Sequence, residues 1–329
     1  MTATLRARVE PGERGAIAVI VAIVLVLLMS LVAYALDTGN AWQTRRALVT
    51  ATDAAALAAA ATYAEGGNGC GGVAASYATA NVPDATVTGC AFTTWAPGAG
   101  YVTVSARTPW HMNFAGIMGF GDRDIHSTTT AAYGQPLGLT GLRPLALCSM
   151  SAGYQQWVSS GLDTPFVVTV PYAKSSPGDC GANVPGNWGV QDFDGGANSN
   201  RDTKDWVESG YPGLVTAPGT IPGDTGAFSN SLGSALDYLV DSQLVFQLPV
   251  YDAAAGNGSD ARFHVVDFVS VRLQGYEADG AEATRWLRIE FVSAPAQGTC
   301  CAHDTDTGTR VVFICAVDAS FPSSNCADR

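Results

Sequence analysis

A glycine-rich stretch in the second half of the chain carries the side-chain types that could hold a hard cation. Its oxygen-bearing members are Asp192, Asp194, Asn198 and Asn200. Alternating carboxylate and amide oxygens on a loop are the ligands that calcium prefers. The stretch departs from the EF-hand pattern at Gly196 and Ala197, which occupy positions that need an oxygen ligand and a glycine respectively. Two interpretations stay open: a calcium loop, or an Asx-rich turn region that caps its own backbone.

Local signatures of catalysis are missing from the sequence. The four histidines are scattered, and no H-E-x-x-H places two of them on one helical face; they are His111, His126, His264 and His303. The chain also has no G-x-S-x-G nucleophile elbow, no S-x-x-K set and no phosphate-binding G-x-x-x-x-G-K-[ST] loop. The HDTDTG run at 303–308 is more typical of a hairpin turn than of a metal loop. We therefore predict no catalytic residue and no cofactor.

Five of the tryptophans after residue 65 could stack on sugar rings. They are Trp95, Trp110, Trp157, Trp188 and Trp206. A single tryptophan more commonly fills a core or an interface, where its large apolar ring is removed from water. An alternative hypothesis from another class is that residues 135–329 form a secreted glycan-binding module or a hydrolase.

The cysteines indicate an oxidising compartment. All eight lie after position 69, at Cys70, Cys90, Cys148, Cys180, Cys300, Cys301, Cys315 and Cys326. No C-x-x-C occurs, so zinc ribbons and thioredoxin-type sites lack their spacing, and disulfides are the expected state. Eight cysteines allow 105 pairings. We predict Cys70 with Cys90 as a local pair, and we expect the adjacent Cys300 and Cys301 to bond separate partners.

The element that would place these residues outside the cell is an apolar run near the N-terminus. Residues 16–36 contain no charge and no proline. As a helix this run spans roughly 32 Å, which matches the roughly 30 Å hydrocarbon layer of a bilayer. Arginines precede it at positions 6, 8 and 14, and the next basic residue is Arg45. We predict a transmembrane helix with a cytoplasmic N-terminus and an exported C-terminal region.

Two other interpretations of residues 16–36 compete with this one. A buried core helix is disfavoured because such helices seldom lack a polar face over this length. A cleavable signal peptide is compatible with the A-x-A site formed by Ala33 and Ala35. The apolar stretch is longer than the usual 7 to 15 residues, which favours a retained anchor. Both the anchor and the signal peptide export the rest of the chain.

Charge and composition narrow the possible partners. The 329 residues include 17 basic and 29 acidic side chains, a formal net charge of −12. Binding to nucleic acid requires clustered lysine and arginine, so nucleic acid is not an expected partner. The apolar share of 47% is ample for a folded core.

A second helical stretch follows the apolar run. Residues 41–64 are rich in alanine and free of glycine and proline, which favours a stalk helix over residues 37–64, although Gly39 could loosen its start. Small side chains recur every four residues at Ala47, Ala51, Ala55 and Ala59. Such a ridge allows close approach of another backbone. It could pack under the protein's own sheet or against other subunits.

These N-terminal residues resemble a known family. Glu13-Arg14-Gly15, the following AIAVIVAIVLVLLMSLVAYALD and then AWQTRRALVTATDAAALAAA are similar to the N-terminal domain of TadG-like proteins of the Flp (tight adherence) pilus-assembly system. GYVTVSARTP, MNFAGIMGFGD and DIHSTTTAAYG resemble the small sheet region that follows in that family. The resemblance implies a bacterial envelope protein of the cell membrane. Its implied partners are membrane lipid and pilus or secretion-system proteins.

Two family features are missing. Pilin precursors are cut after a glycine and carry glutamate at the fifth mature position, but the fifth residue after Gly15 is Ile20. This difference favours an assembly or anchoring component, with a minor pilin as an alternative. Many TadG-like proteins also carry a von Willebrand A-type domain with an Asp-x-Ser-x-Ser metal site. The run Asp318-Ala319-Ser320-Phe321-Pro322 lacks the second serine, so that domain is not assigned.

The exported region has an α+β pattern. We predict a cytoplasmic tail at 1–15, a small pilin-like unit at 65–134 and a disulfide-braced, mainly antiparallel domain at 135–329. Strands are predicted from β-branched, alternating runs at 84–93, 100–107, 124–133, 263–273, 286–292 and 309–317. A helical turn is predicted at 114–118, helices are predicted at 153–160, 203–209 and 229–240, and a long loop is predicted at 175–200. In the strand at 286–292, Leu287, Ile289 and Phe291 should share one face.

Overall fold

The computed structural model describes residues 13–162, 164–171, 180, 190–196, 200–224, 232–256, 260–279, 284–302 and 305–315. Within these residues, one long helix leads into two mainly antiparallel sheets, so the α+β prediction is confirmed. Several predicted features lie outside the described residues: Asn198, Trp188, His303, Cys326, the Asp318–Pro322 run, most of the 175–200 loop and most of the 1–15 tail.

Helix α1 runs without interruption from Glu13 to Ala64. The two predicted helical stretches are therefore one rod of 52 residues, about 78 Å long, which continues through Gly39. Alanine and unbranched residues favour the helix along its upper part, and no proline breaks it. Helix α2, Cys70–Asn81, follows after a short connection and packs on α1. The predicted Cys70–Cys90 disulfide is present and ties α2 to the first strand.

The first sheet is built on the three strands that follow α2. They are joined in antiparallel fashion and are β1 (Thr86–Ala96), β2 (Ala99–Trp110) and β3 (Arg123–Leu139). The predicted turn between β2 and β3 is a 3-10 helix, η1, at Ala115–Met118. Later segments complete this sheet: β6 (Val215–Thr216), β11 (Ala294–Ala296), β12 (Gly298–Ala302) and β13 (Thr309–Ile314). The sequence predicted a strand near β13 but not its place beside β3.

The core of this unit lies between the upper half of α1 and the first sheet. Ala55 and Ala59 are fully buried against strand residues such as Val102 and Ala131. Alanine side chains allow the helix to lie close to the sheet, so the interface is dense without large side chains. Of the four ridge alanines, Ala51 is also buried and Ala47 is exposed. The ridge therefore packs under the protein's own sheet.

The second sheet is formed by strands from the second half of the chain and one short strand just before them. Its strands are β4 (Leu147–Cys148), β5 (Phe166–Pro171), β7 (Gly219–Pro222), β8 (Val245–Ala255), β9 (Arg262–Glu277) and β10 (Trp286–Phe291). Three helices accompany it, α3 (Ala152–Ser159), α4 (Asn200–Ser209) and α5 (Gly233–Ser242), as predicted apart from shifted ends. Leu287, Ile289 and Phe291 are buried on one face, which confirms the alternation. Trp157 stacks on Phe291 in the core, with ring centroids 5.8 Å apart.

The cysteine prediction was wrong at one point. Cys300 and Cys301 are bonded to each other, not to separate partners. The peptide bond between them is cis and their Cα atoms are 3.1 Å apart, a backbone arrangement that the sequence did not indicate. Cys148 pairs with Cys180, and Cys315 is disulfide-bonded as well. The described cysteines are thus all oxidised, in agreement with an exported region.

Candidate functional site

The lower half of α1 is an apolar surface that the rest of the protein does not cover. Between Ile17 and Leu36 the described side chains are exposed, except Ser30 and Ala33, which are half-buried. Leu31, for example, is 65% exposed. A contiguous apolar surface of this size marks a membrane or protein contact. Within the described ranges, one helix, α1, is long and apolar enough to cross a membrane.

Aromatic rings flank the upper end of this surface. Tyr34 is 72% exposed and Trp42 is 63% exposed, one on each side of the first acidic residue after the apolar run. Tyrosine and tryptophan rings are enriched at membrane–water interfaces, where an apolar body and a polar tip are both accommodated. The upper edge of the candidate span therefore lies near Leu36.

Asp37 connects this edge to the first sheet. Its side chain is buried, and its carboxylate accepts hydrogen bonds from the backbone N–H groups of Asn113 (3.0 Å), Phe114 (3.2 Å) and Ala115 (2.8 Å). These residues open the η1 turn between β2 and β3. No sequence motif singles out Asp37. Its one distinguishing feature in the sequence is its position as the first charge after the apolar run.

The hydrogen bonds change the acidity of this carboxyl group. The N–H of Ala115 is the main cause that lowers the pKa of Asp37 below 3.8, and the N–H groups of Phe114 and Asn113 act in the same direction. Burial raises the pKa, with an effect second in size to that of the Ala115 N–H. Hydrogen bonds from three N–H donors favour the charged carboxylate, so Asp37 is ionised at neutral pH and holds the turn.

The other end of α1 is held by the C-terminal strand β13. Arg310 is buried, and its guanidinium donates to the carbonyl oxygen of Ala64 at 2.6 Å and to the Asp306 carboxylate at 2.7 Å. The last carbonyls of a helix lack intrahelical donors and carry partial negative charge, so a cation is stabilising there. The guanidinium also lies 6.0 Å from the ring of Tyr133. Burial raises the pKa of Tyr133, and Arg310 partly offsets this effect.

The predicted calcium residues are only partly described. The Asp192 carboxylate accepts from the N–H groups of Asp194 (3.2 Å) and Gly195 (3.0 Å), and Asp194 accepts from Gly196 (3.0 Å). Asn200 begins α4, and its side chain is outside the described part, as is Asn198. The described oxygens therefore form Asx turns. No cluster of three or more His, Cys, Asp or Glu side chains suited to a metal occurs among the described residues. Calcium binding stays one of the two interpretations of this stretch.

The described histidines lie at separate places on the surface. His111 contacts the Asp122 carboxylate at 2.8 Å, and His264 contacts that of Asp252 at 2.6 Å. His126 is exposed on β3. The histidine on β9, His264, belongs to the other sheet, so the structure does not bring these side chains together into a nucleophile–base pair.

One tryptophan lines a surface groove. Trp206 is half-buried between Phe193 and Tyr211, with ring centroids 6.0 Å and 5.0 Å away. The groove has a volume of about 570 Å³ and is also lined by Asp205 and Gln297. By contrast, Trp157 is fully buried in the core of the second sheet, and Trp95 and Trp110 are half-buried.

Two further groups with shifted pKa values have structural partners. Burial lowers the pKa of Arg143 to about 10, and its guanidinium donates to the carbonyl oxygens of Gly141 (2.9 Å) and Glu208 (3.0 Å). The latter contact caps the end of α4. Burial, aided by a hydrogen bond to Asp237, raises the pKa of Tyr276 to about 12. Arg143 thus joins the segment before β4 to the end of α4, and Tyr276 joins β9 to α5.

The N-terminal segment matches a known family. Residues 15–62 match the family described as putative Flp pilus-assembly TadE/G-like. This match confirms the resemblance seen in the sequence, and it covers nearly all of α1 but neither sheet. No curated protein and no solved structure matches the chain. The match supports a role related to pilus assembly. Together with the exposed apolar helix, it indicates membrane anchoring and association with pilus or secretion components.

Proposed function

We propose that the chain is a single-pass, membrane-anchored envelope protein of a Flp/Tad-type pilus assembly or secretion system, with an anchoring role and no catalysis. One observation carries this proposal. The segment that matches the TadE/G-like family is the same helix whose lower half presents an uncovered apolar surface as long as a bilayer is thick. The family match and the apolar surface of the helix thus indicate the same segment, helix α1.

The energetics of the lower half support permanent attachment. Leucine, isoleucine and valine each contribute roughly 0.3 to 0.6 kcal/mol to insertion when placed near the centre of a membrane helix. Residues 16–36 consist largely of these types and contain no charge. Because the backbone groups of α1 are hydrogen-bonded within the helix, they add no unpaired polar group to the lipid. The sheets and the disulfides then lie on the same side of the membrane as Asp37, beyond the C-terminal end of the span.

The orientation follows from charge and redox chemistry. Arginines cluster before the apolar run, and the bias of Lys and Arg toward the cytoplasm puts the N-terminus inside. The disulfides, which include Cys70–Cys90 and Cys148–Cys180, need an oxidising compartment and so favour an extracytoplasmic C-terminal region. Both arguments give the same topology.

Protease protection in intact cells tests the anchor and its orientation. A tag placed after Arg329 should be removed by protease added to wall-stripped cells, while a tag placed before Met1 should stay protected. Protection of the C-terminal tag in intact cells would contradict the proposal. Cross-linking of the full chain in native membranes, followed by mass spectrometry, should recover pilus or secretion components. Recovery of none would remove the assembly role but leave the anchor.

The minor-pilin alternative makes a separate prediction about the mature chain. Cleavage after Gly15 would leave a protein that starts at Ala16, whereas an anchoring component keeps the preceding residues. The intact mass of the protein extracted from membranes distinguishes the two. Ile20 at the fifth mature position, where glutamate is expected, favours the uncleaved form.

A second candidate function, glycan binding by the exported region, is favoured by the Trp206 groove. An aromatic ring beside a carboxylate and an amide is a suitable surface for a sugar, because the ring stacks and the polar groups accept or donate hydrogen bonds. Binding of full-length protein to peptidoglycan should be lost in Trp206→Ala and kept in Trp95→Ala if this function is real. Equal, weak binding by both variants would leave anchoring as the function.

A further inference from the structure

The loop between β2 and β3 has a polar base and an apolar tip. Residues 112–121 carry no charge. Three large apolar side chains of this segment are exposed: Phe114 by 39%, Ile117 by 83% and Phe120 by 59%. At the base, His111 contacts Asp122 at 2.8 Å, and Arg107 forms an ion pair with Asp124. The charged groups are thus confined to the end of the loop nearest the sheet.

The position of this loop along α1 follows from contacts between helix and sheet. Thr52 is hydrogen-bonded to Ser127 on β3 at 2.8 Å, and the end of α1 meets Arg310 beside Tyr133. From Thr52 to Ala64 the helix rises about 18 Å, and from Ser127 to Tyr133 the strand rises about 20 Å. Strand and helix therefore run side by side in the same direction. If the strand and the helix are both followed toward their N-terminal ends, the β2–β3 end of the sheet comes to lie beside the start of the stalk, near residue 37.

Asp37 fixes the level of the loop directly. Its carboxylate holds the N–H groups of residues 113–115, so the η1 turn sits beside the first residue after the apolar run. Ala33 and Ser30, the half-buried positions of the lower half, precede Asp37 by four and seven residues and share its helix face. Ala33 is about 6 Å closer to the N-terminus along the axis. The loop at the level of Asp37 thus lies within about one helical turn of the candidate span.

We propose that residues 112–121 are a second membrane contact, in which Phe114, Ile117 and Phe120 enter the outer interface of the bilayer beside α1. This inference rests on the proposed anchoring by residues 16–36. Lipid is the occupant that fits, because the apolar tip continues the apolar surface of the helix at the level marked by Tyr34 and Trp42. Apolar faces at membrane interfaces commonly enter to a depth of about 5 to 10 Å, within reach of such a loop.

A second contact changes what the anchor does. A single helix is free to rotate about its axis and to tilt, since nothing but its own side chains meets the lipid. A loop that enters the interface on one side fixes the rotation of the helix and brings the first sheet to a set height above the lipid. The surfaces of the exported region would then face their partners in one orientation.

Photo-cross-linking to lipid tests this contact. A benzophenone-bearing amino acid is placed in the full-length protein at position 117, at position 24 within the span, or at position 214. The native Leu214 is 50% exposed and lies beside Gly138, at the end of β3 away from the loop. Each variant is reconstituted into vesicles of phosphatidylethanolamine and phosphatidylglycerol and illuminated. Mass spectrometry of the peptides should find lipid adducts at 24 and 117 and none at 214.

The three positions separate the two proposals. Adducts at 24 but none at 117 would overturn the loop contact and leave the anchor intact. Absence of adducts at 24 would overturn the anchor, and with it the proposed function. Cross-links from 117 to protein in place of lipid would assign the loop to a protein partner and overturn the inference. Because position 117 is almost fully exposed, its substitution should not disturb folding.

A second variant tests the role of Asp37 in positioning the loop. Asp37→Asn replaces one carboxylate oxygen by an amide nitrogen and removes the charge that the three N–H groups face. Lipid adducts at 117 should then be lost, while those at 24 are unchanged. The control Asp84→Asn, at an exposed position of the first sheet unit, should change neither yield. Unchanged adducts at 117 in Asp37→Asn would show that the loop reaches lipid without this residue.

Discussion

The two halves of α1 belong to one helix but meet different surroundings. Between residues 17 and 36 the helix carries large, mostly branched side chains and is exposed, whereas between 48 and 64 it carries mainly alanine and is buried under the first sheet. Both halves are apolar, so hydropathy alone does not distinguish them. Side-chain size does: large side chains give a wide apolar surface for lipid, while small ones let a sheet approach the helix backbone.

The halves also differ in how their ends are fixed. At the junction, Asp37 accepts hydrogen bonds from backbone N–H groups of the β2–β3 loop, and at the top Arg310 donates to the last carbonyl of the helix. A carboxylate and a guanidinium thus hold the buried half between them. The lower half makes no such contact among its described residues. One helix thus presents an apolar surface as long as a bilayer is thick in its lower half and forms part of the core of a folded unit in its upper half.

The largest expected effect comes from charge in the lower half. Leu27→Arg with Leu28→Arg should cost about 2.5 to 3.5 kcal/mol for each arginine near the bilayer centre and release the protein from membranes or lead to its degradation. Membrane fractionation measures this effect. The matched pair Val49→Arg with Thr50→Arg, at exposed positions of the upper half, should stay in the membrane fraction. If the Leu27/Leu28 variant stays in the membrane fraction like the parent protein, the lower half of α1 does not differ from the upper half in contacting lipid.

Loss of the contact at the upper end of α1 should destabilise the buried half of the helix and the first sheet. Arg310→Met removes the guanidinium from the Asp306 carboxylate and the Ala64 carbonyl, and breaking a buried pair in this way costs about 3 to 5 kcal/mol. Denaturant unfolding of full-length protein in detergent, followed by tryptophan fluorescence, should show a lower midpoint. Arg288→Met, at an exposed position on β10, is the control and should shift the midpoint little. Equal shifts would show that Arg310 does not cap the helix.

Side-chain size in the buried half should give a moderate effect. Ala55→Leu adds three carbon atoms where the helix meets the sheet, and overpacking of this kind costs about 1 to 3 kcal/mol. The same change at the exposed Ala47 should be close to neutral, and Val24→Leu in the lower half should not alter unfolding of the sheets. The three variants can be compared by the same denaturant experiment. If Ala55→Leu and Ala47→Leu behave alike, packing does not distinguish the faces of the helix.

The smallest expected effect is a pH dependence at the junction. Because the pKa of Asp37 is lowered below 3.8 in the folded protein, its hydrogen bonds stabilise the docked loop fully above that ordinary value. The contribution is lost as the pH falls through the lower folded-state value. Hydrogen exchange of the amides at 113–115 should be slower in the parent than in Asp37→Asn at neutral pH, and the difference should vanish in strong acid. A difference that persists in strong acid would contradict this account.

Sequence patterns predicted the parts of the fold that depend on local spacing. The apolar run and the alanine-rich run predicted α1, and β-branched alternation predicted the core strands, including the shared face of Leu287, Ile289 and Phe291. The Cys70–Cys90 bond could be expected because the two residues are close in sequence. Each of these features is set by neighbours within a few residues or a short loop.

Long-range partners could not be predicted in the same way. The place of β13 beside β3 joins residues far apart in the chain, and no periodicity reports which strand a given strand will pair with. The Cys300–Cys301 bond depends on the backbone between two residues, which composition does not reveal. At the candidate site, the apolar surface of residues 16–36 was predicted, but the role of Asp37 depends on a loop more than seventy positions away.

The sequence by itself determined that an uncharged helix as long as a bilayer is thick precedes an acidic, cysteine-bearing region, because hydropathy and helix rise are local properties. Only the tertiary structure decided where that helix stops being a surface and becomes a core. Asp37 and Arg310 mark the two ends of the buried half, and their partners, the β2–β3 turn and the end of α1, are brought to them by sheet pairing. Burial and hydrogen bonding between distant segments are properties of the folded chain as a whole, and the order of residues does not state them.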